Sequence, residues 1–255
     1  EYAQIPDRVK KKQIISMASF ILITGASSGF GAATAKLFAA KGYGLVLMAR
    51  RKDKLDALVQ ELPENIEAHV LAADVRDEEV VTNAINSLPK YVKTALSILV
   101  NNAGLAVGKG PIDKGFIEDW DRMVDTNVKG LLYVSRAVIP LLKANKKGHI
   151  INVASIAGKE VYPGGNVYCA TKHAVDALSR AMRIDLVNDN IKVSNLAPGA
   201  AETEFSIVRF KGNEAQAKSI YDGYDPLVAQ DIAETIWFMC SRPDHVNVND
   251  ITLMA

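Results

Sequence analysis

The chain has 255 residues, and 49% of them are hydrophobic, which is enough to bury the core of one large α/β domain or of two small ones. Lys and Arg number 30 against 29 Asp and Glu, so the net charge of +1 favours neither nucleic acid nor an anionic membrane surface as a partner. Two cysteines, Cys169 and Cys240, form no disulfide framework and indicate a reducing compartment, so we expect a cytoplasmic protein. The four histidines lack metal-ligand spacing, and we expect no metal. No apolar run approaches the roughly 20 residues of a membrane span.

Residues 1–16 precede a Met17-Ala18-Ser19-Phe20 sequence that is typical of a translation start. The segment is basic and lacks the apolar stretch of a signal peptide. We therefore expect it to lie outside the fold, as a disordered tail or as residues upstream of the natural start. Residues 17–255 are then expected to form a single domain.

From Phe20 onward, short apolar runs alternate with segments of helical spacing. The predicted strands are 20–24, 45–48, 68–72, 98–100, 150–153, 191–194 and a last one near 246–253. The predicted helices are 32–40, 55–62, 80–88, a long one over 118–144, one that bears Tyr168, and 230–240. Continuously apolar strands that alternate with helices indicate an α/β protein with a single doubly wound, Rossmann-like parallel sheet, flanked by helices on both faces.

A glycine-rich turn follows the first predicted strand and opens a helix. Glycines at such a turn let the backbone approach a pyrophosphate, which then lies at the positive end of the helix. The Gly-x-x-x-Gly-x-Gly spacing is looser than the best-known dinucleotide fingerprint, and a tight strand-to-helix turn would also explain it. The residues predicted to bind a dinucleotide here are Gly25, Ser27, Ser28, Gly29, Phe30 and Gly31.

The end of the second predicted strand bears on the kind of dinucleotide. An NAD-selective site would place an acid there, on the ribose 2′-hydroxyl. This chain has Ala49 followed by Arg50 and Arg51, which favours a 2′-phosphate and hence NADP(H). The alternative is a basic helix start in solvent, although cations at a helix start are unfavourable without an anion.

Tyr168 and Lys172 are four residues apart, so on a helix they lie on one face. An ammonium about 4 Å from a phenol, at an effective dielectric of ~20, is worth on the order of 4 kcal/mol, or roughly three pKa units. We therefore expect the pKa of Tyr168 to fall to about 7, where acid and base catalysis is efficient. Taken alone the pair is weak, because both residue types are common on solvated helix faces.

Six motifs in order resemble the short-chain dehydrogenase/reductase family over residues 19–254. They are Thr24 to Gly31, Asn101-Asn102-Ala103-Gly104, Asn127, Ser155, Tyr168 with Lys172, and Pro198-Gly199. Residues 118–127, 162–168, 203–212 and 243–249 more closely resemble the NADP-dependent 3-hydroxy acid dehydrogenases, also called serine or allo-threonine dehydrogenases. The resemblance implies one NADP-binding catalytic domain over residues 17–255, and a homotetramer.

The resemblance implies catalytic roles for four residues. Tyr168 would give or take the hydroxyl proton while hydride moves to or from the nicotinamide. Lys172 would lower the pKa of Tyr168 and hold the nicotinamide ribose, and Ser155 would stabilise developing charge on the substrate oxygen. Asn127 would help to bind a water that relays protons to Lys172. Singly, Ser155 could be a turn residue and Asn127 a helix irregularity.

The resemblance also assigns the rest of the cofactor site. Asp74 and Val75 would contact adenine, although Asp74 could instead be a helix cap. Ala201 stands where related sequences usually carry valine, beside the expected carboxamide contact. The further cofactor residues implied are Asn101, Ala103, Gly104, Pro198, Gly199 and Thr203.

The substrate implied is a small 3-hydroxy acid such as serine, allo-threonine or 3-hydroxypropanoate. Its carboxylate needs a cation, for which Arg209 is the candidate, because a guanidinium binds a carboxylate with two hydrogen bonds. Arg209 could equally be a lid or subunit contact. Tyr162 and Gly165 are expected to shape the pocket wall. Competing functions are reduction of a 3-oxoacyl thioester or a xenobiotic ketone, and non-catalytic NADP sensing.

Overall fold

The computed structural model describes residues 19–255, so the expectation for residues 1–16 lies outside the described part of the chain. The strands are β1 (Phe20–Thr24), β2 (Gly44–Ala49), β3 (Ala68–Ala72), β4 (Leu96–Asn101), β5 (Gly148–Val153), β6 (Ile191–Pro198) and β7 (Asp250–Leu253). They form one parallel sheet in the order β3-β2-β1-β4-β5-β6-β7. The predicted doubly wound, Rossmann-like sheet is confirmed.

Helices cover both faces of this sheet. They are α1 (Gly29–Ala40), α2 (Lys52–Gln60), α3 (Glu78–Asn86), α4 (Lys90–Ala95), α5 (Ile117–Val124), α6 (Leu131–Ala144), α7 (Asn166–Leu186), α8 (Glu204–Arg209), α9 (Glu214–Ser219) and α10 (Ala229–Cys240). Successive side chains of a strand point to opposite faces. Accordingly, Leu22 of β1 packs in the core beneath α3, α6 and α7, whereas Ile21 packs with Phe38 of α1 and Ile236 of α10. Each such buried side chain contributes about 1.5–3 kcal/mol to folding, and together they fix the sheet that positions the strand ends.

Three predicted elements differ most from the structure. The strand predicted over 191–194 continues to Pro198. The helix predicted over 118–144 is interrupted, because the π-helical segment Asp125–Gly130 separates α5 from α6. The spacing of apolar residues stays helical through this segment, so the pattern does not reveal the wider turn. The last strand begins only at Asp250 and not near Val246, whose N–H donates to the Pro243 carbonyl in a turn.

The strand order reverses at β1, which lies between β2 and β4. In sheets of this kind the ligand crevice lies at the carboxyl ends of the strands beside this reversal. The chain there is very close-packed: Gly25 has φ of +65°, and a Cβ on it would lie 2.9 Å from Asn102 Nδ2. Only glycine suits that position, because other residues are strained at positive φ. Within residues 19–255, every helix is too short or too polar to cross a bilayer.

Candidate active site

A cavity of about 440 Å³ opens where the carboxyl ends of β1, β4 and β5 meet. Its wall brings together most of the residues that the sequence predicts. The predicted cofactor residues on the wall are Gly25, Ser27, Ser28, Gly29, Phe30, Arg50, Arg51, Asp74, Val75, Ala103, Gly104, Tyr168, Lys172, Pro198, Gly199, Ala201 and Thr203. The predicted substrate residues Ser155, Tyr162 and Arg209 lie on the same wall.

One end of the cavity is built for anions. Helix α1 begins there, and the extended Ser28 before it makes no side-chain cap bond within the described chain. The first N–H groups of α1 are therefore open to a negatively charged ligand. Arg51 Nη2 donates to Ser27 Oγ at 3.2 Å and to Ser28 Oγ at 2.9 Å, which places a guanidinium beside this helix start. A helix start with an adjacent arginine fits a pyrophosphate and a 2′-phosphate.

Asp74 follows β3 on the cavity wall and is not a helix cap. Asp77 caps α3 instead, since its Oδ1 accepts a hydrogen bond from Val80 N at 3.0 Å. Burial would raise the pKa of Asp74, but hydrogen bonds from Arg76 outweigh it and the pKa lies below its usual value. A fixed, ionised carboxylate at this strand end can accept a hydrogen bond from an adenine amino group.

Asn101 does not contact the cavity, contrary to prediction. Its Nδ2 donates to Ser135 Oγ and to Asn152 Oδ1, both at 2.9 Å, and so ties β4 to α6 and β5 inside the core. The wall residue is Asn102, whose Nδ2 donates to the Thr24 carbonyl at 2.9 Å. Strand alternation could have separated the two, because adjacent residues at a strand end point in opposite directions.

Two predicted glycines support the wall without forming part of it. A Cβ on Gly31 would lie 2.8 Å from Asn102 Nδ2, so this glycine lets α1 pack against the turn after β4. A Cβ on Gly165 would meet the Tyr162 ring and lie 2.8 Å from Cys169 Sγ. Both glycines therefore contribute because the lack of a side chain lets neighbouring groups approach their backbone closely.

Ser155, Tyr168 and Lys172 converge at the other end of the cavity. Tyr168 and Lys172 lie on one face of α7 and are 8% and 5% exposed. Ser155 follows β5, and its Oγ accepts a hydrogen bond from Ala157 N at 3.1 Å and donates one to the Pro198 carbonyl at 3.4 Å. The Lys172 Nζ donates to the Val153 carbonyl at 2.9 Å.

Asn127 connects three parts of the site from within the π-helical segment. Its Oδ1 accepts from Leu105 N at 2.8 Å, and its Nδ2 donates to the Leu105 carbonyl at 2.8 Å and to Thr171 Oγ1 at 3.0 Å. A Cβ on Gly104 would lie 3.2 Å from Asn127 Oδ1 and 3.4 Å from Lys172 Nζ, so Asn127 and Lys172 flank one glycine. Both Nδ2 hydrogens bond to protein, whereas Oδ1 accepts one hydrogen bond and keeps a second acceptor position, so a water relay here would use Oδ1 or the backbone carbonyl.

The expected fall in the pKa of Tyr168 does not occur in the protein as described. Burial raises the pKa above the ordinary value of 10.0, and the Ser155 hydrogen bond and the Arg209 charge offset only part of this. Lys172 Nζ lies 6.0 Å from the centroid of the Tyr168 ring and donates to the Val153 carbonyl, and its charge is not among the causes that shift the pKa of the phenol. The phenol therefore keeps its proton at neutral pH and is ready to donate it.

Burial also lowers the pKa of Lys172 to about 8, from an ordinary 10.5. Between these values the native lysine releases its proton while the unfolded one keeps it, so stability rises with pH. We expect the free energy of unfolding of wild type, relative to Lys172→Met, to rise by about 2 kcal/mol between pH 8 and 9.5. Urea titrations across this range measure it, with the exposed-site variant Lys90→Met as control. A difference that does not change with pH would contradict the burial cost.

Arg209 forms the anion-binding part of the substrate end. Its Nη2 donates to Tyr162 Oη at 2.8 Å, and its guanidinium carbon lies 5.3 Å and 5.7 Å from the ring centroids of Tyr162 and Tyr168. Its buried Nε has no hydrogen-bond partner among the described residues. A guanidinium held by aromatic rings, with its Nε–H free to donate, is suited to bind the acid group of a ligand.

The segment that carries Arg209 closes the cavity, and its fold is what the sequence analysis missed. Helices α8 and α9 are too short for apolar periodicity to predict. Thr203 caps α8 by accepting from Phe205 N at 3.3 Å, and the Phe205 ring lies 5.7 Å from that of Tyr168. Tyr221, also on the wall, donates to the Ala201 carbonyl at 2.8 Å and so holds the segment to the strand end.

The sheet, the anion-binding helix start and the Ser155, Tyr168 and Lys172 cluster together define a dinucleotide-dependent oxidoreductase. The chain belongs to the short-chain dehydrogenase/reductase family, since the family model described as short chain dehydrogenase matches residues 19–214. This confirms the resemblance that the motifs indicate.

Individual relatives are similar over nearly the whole chain. The chain is 42% identical to sulfoacetaldehyde reductase 2 of Chromohalobacter salexigens, over 93% of this chain and 94% of that protein. It is also 42% identical to an NADP-dependent 3-hydroxy acid dehydrogenase of Salmonella typhi, over 92% and 94% of the two chains. A solved structure of the closed form of serine dehydrogenase complexed with NADP+ superposes with a TM-score of 0.88, at 40% identity and over 92% and 94% of the two chains. The protein is an NADP-dependent dehydrogenase that acts on CH–OH groups.

Proposed function

We propose that the protein transfers hydride between NADP(H) and the hydroxyl-bearing carbon of a small 3-hydroxy acid, such as 3-hydroxypropanoate, serine or allo-threonine. The observation that carries this proposal is Arg209, which lies over the Tyr168 ring and has no acidic ion-pair partner within residues 19–255. A substrate with an acid group a few atoms from its reacting carbon would place that group on Arg209 and its oxygen on Tyr168. The names of the relatives support the same class.

The proposed chemistry uses the bound cofactor and two side chains, Tyr168 and Ser155. NADPH, when bound, supplies the hydride to the carbonyl carbon. Tyr168 Oη, which keeps its proton at neutral pH, donates that proton to the carbonyl oxygen. The Ser155 hydroxyl donates a hydrogen bond to the same oxygen as negative charge develops there. In oxidation the steps reverse: Tyr168 must first lose its proton, and the phenolate then accepts the proton of the substrate hydroxyl.

A sulfonate analogue is the second candidate substrate. Sulfoacetaldehyde carries its sulfonate at the same reach from the carbonyl as the carboxylate of 3-oxopropanoate, and a relative named for its reduction is 42% identical. A guanidinium binds either anion, although the planar carboxylate matches its two parallel donors better.

A substrate panel tests the proposal. NADP+ reduction would be measured with 3-hydroxypropanoate, L- and D-serine, the threonine diastereomers and 2-hydroxyethanesulfonate. Methyl 3-hydroxypropanoate, which lacks the charge, is the matched control, and a 3-oxoacyl thioester with NADPH represents the competing reductase activity. We expect kcat/KM for the best acid to exceed that for the ester by about 10-fold to 100-fold, because a charged hydrogen bond is lost. Equal turnover of ester and acid, or preference for the thioester, would contradict the proposal.

The homotetramer, the cytoplasmic location and the assignment of residues 17–255 to one catalytic domain stay predictions from the sequence. Light scattering of the purified protein tests the first, with the mass of four chains as the expected result.

A further inference from the structure

Glu204, the first residue of α8, is bonded to Arg51, one of the two arginines expected to bind the 2′-phosphate, and to Lys54. Its Oε2 accepts from Arg51 Nη2 at 2.9 Å, and its Oε1 accepts from Lys54 Nζ at 2.7 Å. The same Arg51 nitrogen donates to Ser27 and Ser28 at the start of α1. A carboxylate from the segment over the cavity thus occupies the guanidinium beside the anion-binding helix start.

This carboxylate is charged and exchangeable. The hydrogen bond from Lys54 lowers the pKa of Glu204 most, burial opposes it, and with Arg51 and Ser28 the pKa falls to about 2. The side chains of Arg51 and Glu204 are 42% and 44% exposed, so solvent can replace either partner of the ion pair. An exposed pair is worth at most about 1 kcal/mol, far less than a multiply hydrogen-bonded phosphate. A phosphate therefore displaces the Glu204 carboxylate from the Arg51 guanidinium.

We propose that Glu204 is a built-in competitor for the 2′-phosphate of NADP(H), so that this phosphate displaces the Glu204 carboxylate from Arg51 and releases the first turn of α8. The proposal rests on the NADP(H) site described above. Helix α8 has six residues and carries Arg209 at its other end, about 7.5 Å away at 1.5 Å per residue. The phosphate end of the cofactor thereby acts on the segment that holds the substrate acid group, and a dinucleotide without the 2′-phosphate leaves Glu204 in place.

Ligand binding without turnover tests the competition. Dissociation constants for 2′,5′-ADP and for 5′-AMP would be measured by calorimetry on wild type, Glu204→Gln and Glu202→Gln. Glu202 is the matched control, because it is exposed, lies two residues away and forms no ion pair within residues 19–255. We expect Glu204→Gln to bind 2′,5′-ADP about threefold to tenfold more tightly, with 5′-AMP unchanged, because two exposed ion pairs no longer compete.

Each other outcome overturns the proposal in an identifiable way. An equal gain in Glu202→Gln would mean a general charge effect, and weaker binding in Glu204→Gln would mean that Glu204 orients Arg51 for the phosphate.

Hydrogen exchange gives a second measurement. The amides of residues 204–207 should exchange faster in wild type once 2′,5′-ADP is added, and slower or unchanged exchange contradicts release. Arg51→Ala separates a failure of the 2′-phosphate site from a failure of the competition by Glu204. If it leaves 2′,5′-ADP binding intact, the phosphate site itself is misplaced; if it weakens binding while Glu204→Gln changes nothing, the competition alone fails.

Discussion

Replacing Tyr168 with Phe is expected to lower kcat by about 10³-fold, within the range that general acid catalysis supplies. The substitution removes the hydroxyl that exchanges the proton and leaves the ring against Phe205. Because the ring and its packing stay, the dissociation constant for NADPH should change far less than kcat does. Stopped-flow turnover and NADPH fluorescence titration measure the two quantities.

Tyr162→Phe is the matched control for this experiment, since it removes a hydroxyl from the same cavity wall. That hydroxyl bonds Arg209 and not Ser155, so its loss should act on KM for the acid substrate and leave most of kcat. Turnover of Tyr168→Phe near the wild-type rate would remove Tyr168 from the proposed role.

Arg209→Ala is expected to raise KM for 3-hydroxypropanoate by about 10-fold to 100-fold, because hydrogen bonds to a charged group are worth about 1.5–3 kcal/mol. The methyl ester should lose little, since it presents no charge to the guanidinium. Arg209→Lys keeps the charge but loses the two parallel donors, and we expect it to fall between wild type and alanine. Steady-state kinetics on the acid and the ester measure this selectivity.

The acid-to-ester comparison also separates this role from a purely structural one. Arg209 contacts the rings of Tyr162 and Phe210, so its loss could disturb the segment over the cavity. Such a disturbance would reduce turnover of acid and ester alike. Equal losses on both substrates would therefore assign Arg209 to packing and remove it from substrate recognition.

The sheet and most of the cavity wall could be predicted because they depend on local patterns. Apolar runs of four to eight residues mark buried parallel strands, and the residues just after them share one edge of the sheet. Such runs end at Thr24 and Pro198, and another ends just before Ser155. The fold brings these strand ends together at the cavity. The glycine-rich turn and the two arginines could also be predicted, because the residues of each motif are close together in the sequence.

What could not be predicted depends on contacts between distant residues. The pKa of Tyr168 follows from its burial, and Lys172 bonds the Val153 carbonyl; neither is visible in a four-residue spacing. The wider turn at Asn127 is set by its bonds to Leu105, 22 residues away in the chain. Glu204 meets Arg51 across 153 residues, and nothing near either residue indicates the pairing.

Isotope transfer tests the central claim, which is direct hydride exchange between NADP(H) and the carbon whose oxygen lies on Tyr168. Oxidation of 3-hydroxypropanoate deuterated at C3 would be followed by mass spectrometry of the NADPH formed. We predict one deuterium on the nicotinamide ring per turnover, and none above background with Tyr168→Phe over the same interval. Unlabelled NADPH from the deuterated substrate would contradict the account.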